Sequence, residues 1–122
     1  MAIIQSTLTT AQLNLLTVPA GKTQAITNIV VCNTFSPFGS SPATREAAFT
    51  MYIVKAVDAN TPGAIGDAST VVKDLVLPAG ETFTFDSERI VLEANDMISF
   101  ETQLTSGAGA TDLSATVSYL EV

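Results

Sequence analysis

The chain has 122 residues, of which 47% are hydrophobic and 14% charged, with 12 acidic and five basic side chains and a formal charge of −7. That length supports one domain with one core, and the charged share lies well below the roughly 25% of an average soluble domain. The basic residues Lys22, Arg45, Lys55, Lys73 and Arg89 are scattered and make no phosphate-tracking stripe, which argues against nucleic acid or an anionic membrane surface as partner.

From Met1 onward the chain lacks the basic start and apolar stretch of a signal peptide. No apolar run approaches the roughly 20 residues of a membrane helix. The expectation is a chain made in a cytoplasm that stays soluble or assembles there. Its low charge predicts apolar burial twice, in its own core and against neighbours.

Apolar residues recur with period two, the spacing of pleated strands. The predicted strands are 2–8, 12–18, 23–33, 46–56, 70–77, 82–86, 89–93, 97–103 and 113–121. Phe49, Met51 and Ile53 alternate with Thr50 and Tyr52, and Phe83 and Phe85 with Thr82 and Thr84. Ile98 and Phe100 alternate with Ser99 and Glu101, and Ala115, Val117 and Tyr119 with Ser114, Thr116 and Ser118. The abundant Val, Ile and Thr favour the same conformation. No segment reads as a helix, although Thr9 to Leu16 has room for one short turn. Many short strands separated by turn chemistry predict an all-β chain: a single-domain antiparallel β-sandwich, jelly-roll-like, over 1–122.

Val18-Pro19-Ala20-Gly21 and Leu77-Pro78-Ala79-Gly80 share one design. They read as type I turns with proline second and glycine fourth. The pair is either an internal pseudo-repeat or one turn used twice. In Glu93-Ala94-Asn95-Asp96, Asn95 suits a left-handed backbone.

Three connections are long: 34–45, 57–69 and 104–112. Long loops in a small domain serve as contact surfaces or are mobile. The first carries Phe35, Pro37 and Phe38, two rings in a stiffened loop. They are either interface anchors or caps on the end of the sandwich. The second offers Pro62 and Ile65 as contacts. Ile3 and Ile4 sit on a leading strand able to pair with a neighbour's sheet edge. Tyr52, opposite Phe49, Met51 and Ile53, points outward or to an interface.

Catalytic and ligand chemistry is sparse. Without histidine, the commonest general base and metal ligand is missing. No phosphate-cradling glycine loop and no zinc-type cluster is present. Asp86, Glu88 and Arg89 read as a solvated turn rather than the separated acid pair of a glycosidase. Asp58, Asn60 and Asp67 are oxygen donors without EF-hand spacing. The single cysteine, Cys32, reads as a buried small hydrophobe. The residues therefore predict no enzyme, no cofactor and no metal.

Thr17-Val18-Pro19-Ala20-Gly21-Lys22-Thr23 and Ile26-Thr27-Asn28-Ile29-Val30-Val31-Cys32-Asn33-Thr34 resemble the N-terminal part of small β-rich virion proteins of tailed bacteriophages. Leu77-Pro78-Ala79-Gly80-Glu81-Thr82, Ile90-Val91-Leu92-Glu93-Ala94-Asn95-Asp96 and Ser114-Ala115-Thr116-Val117-Ser118-Tyr119-Leu120-Glu121-Val122 are similar to the same group. These motifs mark turns and strands, not an active site. The resemblance implies a structural protein, made in the host cytoplasm, that decorates or cements the outer capsid surface. It implies contact with the major capsid protein or other virion subunits and a homo-oligomer, often a trimer. A neck, tail or baseplate subunit is the alternative within that group, and a host-surface carbohydrate-binding module is a further one.

Overall fold

Backbone polar groups that leave water must pair, and a chain patterned with period two pairs them between strands. The computed structural model describes residues 2–9, 11–35, 46–58, 60–85, 90–104 and 113–122. Nine strands lie among them: β1 (Ala2–Thr7), β2 (Leu13–Thr17), β3 (Gln24–Asn33), β4 (Ala47–Val54), β5 (Thr70–Leu77), β6 (Thr82–Phe85), β7 (Ile90–Leu92), β8 (Met97–Leu104) and β9 (Leu113–Glu121). Each predicted strand is present, most of them trimmed by one or two residues at an end. Among the described residues of Thr9 to Leu16 no helical turn is present; the second half of the stretch is β2.

Two antiparallel sheets form. The first runs β1-β9-β3-β6, with β7 on the same side of β3 as β6 but paired to its other half. The second runs β2-β8-β4-β5. Most successive strands change sheet; β4 and β5 are neighbours within one.

Alternation drives one side-chain set of each sheet into a shared core. Ile29, Val31, Ala115 and Val117 come from the first sheet, and Phe49, Met51, Ile98 and Phe100 from the second, all fully buried. Phe49 bridges the layers, its ring centroid 5.6 Å from Phe83 and 6.3 Å from Phe100 in tilted arrangements, a geometry aromatic quadrupoles favour. Each such side chain contributes about 1.5–3 kcal/mol through burial.

The turns correct the sequence reading in one detail. The Lys22 N–H donates to the Pro19 carbonyl at 3.2 Å, and the Glu81 N–H to the Pro78 carbonyl at 3.0 Å. Proline thus occupies the first turn position and glycine the third. Gly21 and Gly80 have φ of 76° and 79°, the left-handed third residue of a type II turn. The Glu93–Asp96 turn repeats the plan with Asn95 at φ 65°.

Two buried polar side chains tie these turns down. Asn33 donates from Nδ2 to the Leu77 carbonyl at 2.9 Å, and its backbone bonds Gly80 and Glu81. The Asp96 carboxylate accepts the N–H groups of Ala56 at 2.7 Å and Glu93 at 2.8 Å. Both side chains are buried, so each binds loop to strand with charge- or amide-strength hydrogen bonds.

Candidate interaction surfaces

The strands are almost free of charge. Among the described residues, which include twelve ionic side chains, only Lys73, Asp74, Glu101 and Glu121 lie in strands. The first sheet holds just Glu121, at the end of β9. Its outer face is set by register. Gln5 lies opposite Thr116, Thr116 opposite Val30, and Val30 opposite Thr84. The next row is Thr7, Ser114, Cys32 and Thr82. Cys32 therefore stands half-buried on this hydroxyl-rich face and not in the core. The residue before it, Val31, takes the inward position in the period-two run.

The outer face of the second sheet is different. β4 is buried on both sides: Thr50 and Val54, which point away from the core, are 0% and 1% exposed. Tyr52, Val54 and Met97 form a second apolar cluster, and Ile65 from the β4–β5 connection packs on it. That connection can fold back because Gly63 has no side chain; a Cβ there would collide with the Lys55 carbonyl. Asp58 and Thr61 form a bridge within it. The Asn60 N–H bonding to the Asp58 carboxylate at 2.8 Å holds that carboxyl below the usual range, with Thr61 adding to the effect.

The sequence-predicted contact residues therefore separate. Ile3 is exposed, at 63% of its full area, on the outer face of β1. Ile4, its neighbour, is half-buried against the main core. Tyr52 lies on the face expected of it, but that face is covered. The ring is buried, and its hydroxyl donates to Glu101 Oε1 at 3.0 Å. Burial, then the Glu101 carboxylate, raise the Tyr52 hydroxyl above its ordinary pKa. Ile65 joins Tyr52 in the same cluster, while Pro62 is exposed. Phe35 is half-buried, its N–H donating to Asn33 Oδ1 at 3.1 Å. Pro37 and Phe38 lie outside the described residues, as do Asp86, Glu88 and Arg89.

A cleft of about 480 Å³ lies where Gly21–Thr23, Lys55–Asp58 and the Glu93–Ala94 turn meet. Its two lysines already have carboxylate partners. Lys22 Nζ is 3.8 Å from Glu121, and Lys55 Nζ is 3.6 Å from Glu93 and 3.5 Å from Asp96. Exposed pairs of this kind add little stability, but they cancel the local positive field an anionic ligand would need. Among the described residues no three or more Cys, Asp or Glu side chains gather as metal ligands, and no helix is long and apolar enough to cross a membrane.

Sequence reasoning missed two features. The bulge in β5 sets Lys73 and Asp74 opposite Thr50 alone. There Asp74 adopts φ 46°, its N–H donates to Thr50 Oγ1 at 3.1 Å, and that hydroxyl donates back to Asp74 Oδ1 at 3.2 Å. An acidic residue inside an apolar strand was the available signal. The second is the covered face of β4, for which only the run of small and apolar residues from Ala47 to Val54 gave a hint. Comparison with protein-family models, curated proteins and solved structures finds no match to this chain.

Proposed function

We propose that this chain is a structural protein of a tailed-phage virion that sits on the outer capsid surface and bridges neighbouring major capsid protein subunits. The observation that carries the reading is the segregation of charge. Strand surfaces are built largely from Thr, Ser, Val and Ile, while among the described residues eight of the twelve ionic groups sit in turns and connections and only Glu121 lies in a strand of the first sheet. A broad surface without ions can be covered by another subunit without the desolvation cost that buried charges impose.

The strand order supports the same reading. The orders β1-β9-β3-β6 and β2-β8-β4-β5 read as a jelly roll of two interlocked Greek keys, with β6 and β7 sharing one strand position. That architecture is common among viral capsid proteins and also serves lectins, so fold alone would not assign the function. The charge of −7 favours an outer position, since a lining of the DNA chamber would repel phosphates. Nothing is turned over in this role: binding to the assembled shell stabilises it by mass action.

Purified particles, and shells stripped of small proteins and then incubated with the chain, provide the test. The expected result is stoichiometric co-sedimentation and a higher shell melting temperature. Copies confined to one vertex would move the protein to the neck or tail, and absence from particles would sink the proposal.

A further inference from the structure

A sheet edge exposes unpaired N–H and C=O groups, and proteins blunt such edges with charge, bulges, proline or short strands. Among the described residues the two sheets have four edges, and three are made of short or bulged strands. β5 carries Lys73 and Asp74 on a bulge, with a second register shift beside it. β2 has five residues and a register shift between Asn14 and Leu16. The remaining edge is formed by β6 and β7, which have four and three residues. β1 differs from all of these. It has six residues, Ala-Ile-Ile-Gln-Ser-Thr, without charge or proline, in unbroken register with β9. Among the described residues no strand pairs with its other side.

The Leu8 N–H donates to the Leu113 carbonyl at 2.8 Å. Antiparallel hydrogen bonding alternates along a strand, so residues 6, 4 and 2 direct their backbone groups to β9. Ile3, Gln5 and Thr7 direct theirs outward. Those three positions are self-complementary about a twofold axis at Gln5. Ile3 then meets Thr7 of the other copy, Gln5 meets Gln5, and all three outward N–H and C=O pairs are used. The parity also places like face on like: Ile3, Gln5 and Thr7 lie on the outer face in both copies, and Ile4 meets Ser6 on the inner one.

We infer that β1 pairs antiparallel with β1 of a second copy of this chain, joining two first sheets into one continuous sheet. A second copy is the fitting occupant because the register is self-matching and the edge is uncharged in a chain of net charge −7. Elsewhere two copies repel; here backbone groups meet without an ion between them. The contact is small beside the roughly 1,600 Å² of a standard interface. It is therefore weak in solution and strengthened where copies are held side by side. The inference rests on the assembly reading for its biological use, and the pairing itself stands without it. Threefold association, as the resemblance implies, would use other surfaces and give six copies in place of two.

Light scattering of the chain at 10–500 μM, with amide hydrogen exchange on the same samples, tests this. The expected mass rises from 12.7 kDa to an even multiple of it. Over the same range the Ile3, Gln5 and Thr7 amides gain at least tenfold protection, and those of Ile4 and Ser6 change little. Gln5→Pro removes an outward donor that β9 does not use. It should abolish the concentration-dependent mass and leave the melting temperature within a few degrees. Gln5→Lys and Gln5→Glu place like charges across the axis, and their equimolar mixture should associate more tightly than either alone. A monomer or trimer throughout, association with those three amides unprotected, or no gain on mixing overturns the pairing. A dimer that does not bind particles overturns only the virion reading.

Discussion

The two outer faces of this sandwich come from the same alternation and meet different fates. The outer face of the first sheet is a bare lattice of Thr, Ser, Val and Gln. That of the second buries Thr50, Tyr52 and Val54, with Ile65 of the chain's own β4–β5 connection packed onto the cluster. The contrast teaches that an outward position is not an available one. Tyr52 and Ile65 spend their apolar area within the chain, leaving Val71 and Val76 of β5 as exposed apolar residues of that sheet, and the open face of the first sheet carries no aromatic ring. Hydroxyl and β-branched side chains there stay wet in the free chain and still lose little when covered.

The largest test of the contrast sets one acid on each face. Val54→Asp places an uncompensated charge at a buried site and should cost about 3–5 kcal/mol, enough to unfold a domain of ordinary stability. Thr116→Glu, on the open face, should change stability by less than about 1 kcal/mol and yet abolish binding to stripped shells. Urea denaturation and co-sedimentation measure the two effects. Equal stability losses would break the distinction between the faces.

Gly63→Ala sharpens it. The added methyl meets the Lys55 carbonyl, so the connection must lift or distort, at about 1–3 kcal/mol. Faster exchange of the β4–β5 connection, with β1 and β9 unaffected, is the expected signature.

Tyr52→Phe has a smaller effect, about 0.5–1.5 kcal/mol for one hydrogen bond. It also changes the alkaline limb. The folded Tyr52 hydroxyl titrates above its ordinary value near 10, through burial and the Glu101 carboxylate. The native state therefore holds its proton when the unfolded chain has lost it. That contribution is complete below about pH 10 and declines as pH rises through the raised value. The Phe variant lacks this decline, which denaturation at pH 9 and pH 11 would register. Smallest of all, Thr116→Val should move stability by no more than about 0.5 kcal/mol, because the open face has no packing to disturb.

Much of the architecture was legible because strand formation is a local property here. Alternation at Phe49, Met51, Phe83, Ile98, Phe100, Ala115 and Val117 identified core positions, and all of these are buried or packed against the core. Asparagine marked the left-handed residue Asn95, whereas the left-handed backbone of Gly21 and Gly80 was not read. The turn type was not legible, since Pro-Ala-Gly is compatible with two frames. The hydrogen bonds from Lys22 to Pro19 and from Glu81 to Pro78 select the one that gives glycine the positive φ. Of the contact residues, Ile3 is exposed, whereas the burial of Ile4 and Tyr52 depends on partners far away in sequence.

By itself, then, the order of residues determined a two-faced, all-β chain with few charges in its strands, because side-chain period and turn preference act over a few neighbours. Tertiary structure decided which outward face stays open, which edge remains unpaired, and where Asn33 and Asp96 find partners. Those outcomes rest on contacts such as Asn33 with Leu77, made when the two sheets pack, and Asp96 with Ala56, made when β4 pairs with β8.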